Sequence, residues 1–138
     1  MTETVSLDFE LKSQIEQVWH ALTDSSTLSK WMLFETNDFK PIVGHKFQFQ
    51  AKPGSGGWSV ECAVLEVDAP HRLSYTWVVG AAQHSTVVTW TLTAGEDGVT
   101  RLHLQQSGFA SESKQEIDGA KYGWTHMLGQ LQSLLTAQ

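Results

Sequence analysis

Six histidines and one cysteine are the side chains of this sequence best suited to metal binding or nucleophilic chemistry. No two histidines stand in an H-E-x-x-H pattern, and Cys62 has no partner for a Cys-x-x-Cys pattern. No G-x-S-x-G nucleophile elbow occurs, and the glycines of 53–57 precede no predicted helix that would complete a phosphate site. The sequence therefore predicts no metal and no cofactor.

Carboxylates and other titratable groups offer little more for acid–base catalysis. Glu61 alternates to the face opposite Trp58, which predicts a solvated position, and the direction of Glu66 is left open. His45 and Tyr75 are the remaining candidates, but neither has an evident partner in the sequence. The residues favour a non-enzymatic protein and leave an enzyme open.

Aromatic residues are the most distinctive chemical group, because 6 tryptophans occur in 138 residues. The strand pattern directs most of these rings to one inner face, where they either fill a core or line a cavity. A mostly apolar cavity with a few fixed polar groups is typical of a small-molecule site. The residues predicted to line it are His45, Phe47, Phe49, Trp58, Cys62, Tyr75, Trp77, Trp90, Gln106, Trp124, Met127 and Leu128.

The first 32 residues predict one strand and two short helices. Apolar residues alternate over 3–11, and a helix over 14–22 follows a capping-box pattern that begins at Ser13. Asp24 is expected to cap a second short helix that extends through Trp31.

The middle of the chain predicts about five antiparallel strands joined by short loops. Two of these strands cover 45–51 and 58–67. The other three contain the alternating inward-facing residues that begin at Leu73, Val88 and Thr100. The alternation drifts at Leu65, which predicts a bulge. A linker is expected over 107–113.

The last stretch, 113–137, predicts a long amphipathic helix. Its apolar stripe must be buried, and the inner face of the sheet is the large surface available for it. The stripe consists of Ile117, Ala120, Trp124, Met127, Leu128, Leu131 and Leu135. The fold class is therefore α+β, with helices on one face of the sheet.

Composition places the chain as one globular domain over 1–138. Its hydrophobic content of 41% argues against disorder, and its formal charge of −6 comes without any basic cluster for nucleic acid or for a membrane surface. The lone cysteine and the polar N-terminal sequence favour a cytoplasmic protein without stable membrane association.

Four segments in sequence resemble the START-like (SRPBCC, Bet v 1-like) superfamily. They are 18–24, 70–77, 100–109 and 123–135, and more narrowly they resemble the family related to the C-terminal domain of the activator of the heat-shock-protein-90 ATPase. This resemblance implies the helix-grip fold, in which a curved antiparallel sheet wraps a long C-terminal helix around an apolar cavity.

Three functions remain open at this point. The first is binding of a small hydrophobic, aromatic or lipid-like molecule in that cavity. The second, implied by the resemblance, is a protein-binding module that associates with a chaperone. The third is a cyclase or hydrolase that uses the same cavity, as in some members of the superfamily.

Overall fold

The computed structural model describes residues 2–32, 34–51, 59–79, 85–96, 98–110 and 114–136. The predicted inward position of Trp58 and the predicted glycine loop of 53–57 lie outside these residues. The elements follow in the order β1 (Thr2–Leu11), α1 (Ile15–Thr23), α2 (Ser25–Trp31), β2 (Phe34–Asn37), β3 (Lys46–Ala51), β4 (Ser59–Asp68), β5 (Arg72–Val79), β6 (Thr86–Ala94), β7 (Thr100–Ala110) and α3 (Lys114–Thr136).

The strands form one antiparallel sheet in the order β1-β7-β6-β5-β4-β3-β2. Strands β2 to β7 follow one another as neighbours, and β1 returns to pair with β7 at the opposite edge. The α+β class and its element order are confirmed. Strand β2 was not predicted, because four residues are too few to display an alternating pattern.

One row of paired residues crosses five strands on the inner face. Val64 faces Tyr75, Tyr75 faces Val88, and Val88 faces Gln106 in successive antiparallel pairs. Val5 of β1 completes the row opposite Gln106. All five side chains are buried, so this register places two polar residues among three valines inside the protein.

Of the two predicted helix N-caps, that of α1 is wrong and that of α2 is correct. The N-cap of α1 is Gln14 rather than Ser13, and the Gln17 side chain accepts from the Gln14 backbone N–H at 3.4 Å. Ser13 is buried instead, and its carbonyl accepts a hydrogen bond from Thr100 Oγ1 at 2.7 Å. The predicted cap of α2 is confirmed, since Asp24 Oδ2 accepts from the Thr27 backbone N–H at 3.0 Å.

Two irregularities interrupt the strand pairing. The predicted bulge is confirmed, because the register shifts between Val64 and Glu66 and leaves Leu65 48% exposed. The predicted linker over 107–113 is wrong in its first part, since β7 continues to Ala110. Gly108 occupies the break there, with a φ of 101° where the β1–β7 register shifts. Such a φ favours glycine.

Helix α3 buries the C-terminal part of its stripe most fully. The side chains from Trp124 to Leu135 on this face are 0–6% exposed, whereas Ile117 and Ala120 are only half-buried. The helix joins one continuous apolar core with α1, α2 and the inner face of the sheet. This packing places the aromatic side chains described next.

Candidate functional site

Aromatic rings from β3, β5, β6 and α3 meet on the inner face of the sheet. Neighbouring ring centroids are 4.9–6.3 Å apart, and most pairs are edge-to-face or tilted, the arrangement that aromatic quadrupoles prefer. We call this group the aromatic cluster. It consists of Phe39, Phe47, Phe49, Tyr75, Trp77, Trp90 and Trp124.

Phe39 is the member that sequence reasoning missed. It is 4% exposed and its ring lies 4.9 Å from that of Phe47. Residue 39 belongs to an irregular segment between β2 and β3, so no period marks it as inward-facing. Its apolar character beside Pro41 was the only signal in the sequence.

A buried chain of hydrogen bonds joins α3 to three strands. Trp124 Nε1 donates to Gln106 Oε1 at 2.7 Å, and Gln106 Nε2 donates to Thr86 Oγ1 at 2.8 Å. Thr86 Oγ1 in turn donates to the carbonyl oxygen of Trp77 at 3.1 Å. We call these four residues the polar relay. Because buried polar groups must be paired, the relay fixes Trp124 over the sheet.

Tyr75 and Trp90 form a second buried polar pair. Trp90 Nε1 donates to the Tyr75 hydroxyl at 2.9 Å, and the two residues are 1–2% exposed. Burial raises the pKa of Tyr75 well above its usual value, a nearby Cys62 adds to this rise, and the bond from Trp90 opposes it. The phenol therefore stays protonated and acts as a hydrogen-bonding group rather than a base.

Cys62, Met127 and Leu128, three further residues of the predicted lining, are buried in the same apolar core as the aromatic residues. Burial raises the pKa of the Cys62 thiol, and the negative charge of Glu61 raises it further. The thiol is therefore uncharged near neutrality and unsuited to act as a nucleophile. It contributes as a small apolar group.

His45 lies at the rim of the aromatic cluster rather than within it. The residue is partly exposed, its Nε2 is 2.8 Å from the carbonyl oxygen of Asp38, and its ring is parallel to that of Phe47 at 6.1 Å. This position fits a boundary residue. The His45 ring contacts that of Phe47, which in turn contacts Tyr75, the other candidate for acid–base chemistry.

The carboxylates of β4 face away from the cluster. Glu61 is exposed as predicted, and Glu66 forms an exposed ion pair with Arg72 Nε at 2.7 Å. Within the ranges that the structure describes, no group of three histidine, cysteine or acidic side chains could hold a metal ion.

Exposure within the aromatic cluster is greatest at one margin, at Trp77. Trp77 is 8% exposed, Phe39 and Phe47 are 4% exposed, and Phe49, Tyr75, Trp90 and Trp124 are 1–2% exposed. Two open surface depressions elsewhere share Glu10, Thr93 and Arg101 at the β1–β7–β6 edge, and no cluster residue lines them. Among the residues of the aromatic cluster, Trp77 therefore lies nearest to the surface.

A long C-terminal helix packed on an antiparallel sheet, with two short helices after the first strand, defines the START-like (SRPBCC) class of helix-grip proteins. The chain belongs to the family of activator of Hsp90 ATPase homolog 1-like proteins, whose model matches residues 12–136.

Solved structures agree with this assignment. Protein MLL2253 from Mesorhizobium loti is 36% identical, with a TM-score of 0.89 over 99% of this chain and 98% of that one. Protein BH1534 from Bacillus halodurans is 27% identical, with a TM-score of 0.78 over 98% and 99%. Protein CV1439 from Chromobacterium violaceum, at 24% identity and a TM-score of 0.81 over 96% of each chain, shares the fold.

No functionally curated protein matches the sequence. Among the helices of the described ranges, none is long and apolar enough to cross a membrane. The function must therefore be argued from the aromatic cluster and its polar partners.

Proposed function

We propose that the protein binds a small hydrophobic, aromatic or lipid-like molecule between the sheet and α3. The observation that supports this most directly is the convergence of seven aromatic residues from β3, β5, β6, α3 and the segment before β3, with the greatest exposure at Trp77. Apolar walls with a few fixed polar groups suit such a ligand.

An aromatic ligand could make the same kind of contact that the rings of the aromatic cluster make with one another. Each ring pair contributes about 0.5–1.5 kcal/mol beyond its area burial. A flat apolar guest at the margin would replace ring–ring contacts, such as that of Trp77 with Trp124 at 5.0 Å, by ring–guest contacts of similar strength. Binding in this way requires the contact between Trp77 and Trp124 to open.

Native mass spectrometry and ligand titration test the proposal together. A molecule retained through purification would appear as a mass increment, and flat aromatic or fatty compounds are expected to change tryptophan emission and raise Tm, since binding to the native state stabilises it. A panel that changes neither emission nor Tm, from protein that carries no retained molecule, would end the proposal.

A pair of helix variants locates the site. Met127→Ala removes a buried side chain one helical turn from Trp124 of the aromatic cluster, whereas Leu135→Ala removes one about 12 Å further along the same helix. Each is expected to cost about 2–5 kcal/mol of stability. Only Met127→Ala should change the dissociation constant, by about threefold or more, measured at a temperature where both variants remain folded.

A second candidate function is protein binding, since the family is named for an activator of the Hsp90 ATPase. Ile42 and Val43 are 58% and 62% exposed, and the Gly44 backbone N–H donates to the Val64 carbonyl, which brings this turn beside the exposed Leu65. A bacterial heat-shock-protein-90 that is not retained by the immobilised protein, or is retained equally by an Ile42→Ser and Val43→Ser double variant, would remove this candidate.

The enzyme alternative has no comparable support. His45 is bonded at the rim and Tyr75 is a buried, protonated phenol, so the described residues hold no acid–base pair inside the cluster.

A further inference from the structure

The Tyr75 hydroxyl is only half used as a hydrogen-bonding group. It accepts from Trp90 Nε1 at 2.9 Å, but within the described ranges no acceptor lies in reach of its own hydrogen. The residue is 2% exposed. A buried donor without an acceptor is costly, and accepting a hydrogen bond makes a hydroxyl a better donor.

Gln106 offers a second unused donor on the same row of the sheet. Its Nε2 carries two hydrogens, of which one is donated to Thr86, and its Oε1 accepts from Trp124. The second hydrogen has no acceptor among the described residues. Val88 separates Tyr75 from Gln106 by two strand spacings, about 10 Å. Unused donors therefore flank a short apolar residue.

The described interior contains no charge to balance an ionised ligand. Its buried polar residues are Ser13, Thr27, Ser74, Thr86, Thr100 and Gln106, and none of them is ionisable near neutrality. A carboxylate or ammonium group would lose its hydration there without a counter-ion. The interior is thus matched to uncharged molecules.

We infer that the ligand is a neutral molecule whose carbonyl or ether oxygen accepts a hydrogen bond from the Tyr75 hydroxyl. This inference rests on the proposed function and specifies its ligand class. Burial also raises the pKa of Tyr75, so the donor hydrogen is present throughout the physiological pH range. Apolar surface supplies affinity, and the phenol selects a guest with an oxygen in one position.

Two matched pairs of probes test the inference. Fluorenone and fluorene have the same ring system and differ in one carbonyl, and indanone and indane repeat the comparison at smaller size. We expect each ketone to bind about threefold to tenfold more tightly than its hydrocarbon, the range for one hydrogen bond of ordinary strength. Fluorene-9-carboxylate should bind less tightly than fluorene. Calorimetry measures each dissociation constant.

Three variants assign the effect to one atom. Tyr75→Phe should bring the ketone-to-hydrocarbon ratio to about one while hydrocarbon binding persists. The ratio is taken within each variant, so a loss of stability common to both probes cancels. Trp90→Phe keeps the Tyr75 hydroxyl but removes the hydrogen bond that strengthens it as a donor, so it should lower the ketone-to-hydrocarbon ratio without bringing it to one. Tyr122→Phe is the same substitution at the other tyrosine, which is 77% exposed, and should change nothing.

The outcomes separate this inference from the proposed function. Hydrocarbon and ketone bound equally by the unmodified protein would overturn the inference and leave the proposed function standing. A ketone preference that survives Tyr75→Phe would overturn the assignment to Tyr75. Binding of none of the four uncharged probes, together with the absence of a retained molecule, would overturn both.

Discussion

Trp124 of α3 and Gln106 of β7 are joined by a 2.7 Å hydrogen bond between two side chains that are each 2% exposed. The bond is the first link of the polar relay, which continues through Thr86 to the backbone of β5. It ties the helix to the sheet at one defined point. Apolar packing alone would tolerate several helix positions, whereas a buried amide with matched partners favours one.

Removing the relay amide should therefore destabilise the protein. Gln106→Leu introduces an apolar side chain of similar size and leaves the Trp124 N–H without its acceptor, so we expect a loss of about 1–3 kcal/mol in the free energy of unfolding. Urea denaturation measures it. Gln105→Leu, at the exposed neighbouring position of the same strand, is the control. Equal stability of the two variants would show that the relay contributes nothing.

Gly108 should not tolerate a side chain. Its φ of 101° is unfavourable for other residues, and an added Cβ would lie 3.3 Å from the carbonyl oxygen of Ser85. We expect Gly108→Ala to lower the free energy of unfolding by more than about 1 kcal/mol. Gly129→Ala is the matched control with opposite sign, because this exposed helical site has no atom within 4 Å of an added Cβ. It should gain up to about 1 kcal/mol. Thermal denaturation of both variants measures these opposite changes in stability.

Asp24 gives the stability of α2 a defined pH dependence. Hydrogen bonds from the Thr27 side chain and backbone lower the pKa of Asp24 below its usual 3.8. A carboxyl whose pKa is lowered by folding stabilises the protein above the unfolded-state pKa, and this contribution is lost as the pH falls through the folded-state pKa.

Asp24→Ala should therefore destabilise the protein by about 0.5–1 kcal/mol near pH 7 and by much less in acid below the folded-state pKa. This loss lies in the lower half of the usual range for removal of a helix N-cap, because the Asp24 side chain is 40% exposed and solvent screens its charge. Asp24→Asn keeps an acceptor at the cap and should remove only the pH-dependent part. Urea denaturation at several pH values compares the three proteins. A difference between Asp24→Ala and the parent that persists unchanged in acid would contradict this account.

Cys62 should react slowly with thiol reagents. Its side chain is 5% exposed, and burial raises its pKa, so little thiolate is present near neutrality. We expect its reaction with a disulfide reagent to be on the order of 100-fold slower than that of Leu65→Cys in a Cys62→Ala background. Residue 65 lies on the same strand at 48% exposure. Similar rates would place Cys62 at an open surface.

Periodicity was sufficient to predict the elements that bury one regular face. The apolar stripe of α3 and the inward-facing positions of β5 and β6 were predicted correctly, because helical spacing and strand alternation of apolar residues follow burial directly. The bulge at Leu65 was visible as a break in that alternation. These signals fixed the fold class and most of the aromatic cluster.

Features that depend on pairing between distant elements could not be predicted in this way. The Trp124–Gln106 bond requires the helix position and the strand register together, and neither follows from a local pattern. The extension of β7 to Ala110 was missed because Gly108 interrupts the hydrophobic pattern. The cap at Gln14 was missed because Ser13 offered a commoner capping residue.

The position of β1 beside β7 sets the order in which the chain can assemble. Asp8 and His103 are opposite each other in this pair although 95 residues separate them. In the sheet as described, β7 is the one neighbour of β1, so β1 stays unpaired until β7 has been synthesised. Closing so large a loop is entropically costly and slows folding. Until then the inward-facing Val5 and Leu11 of β1 lack the strand beside which they are buried in the folded sheet.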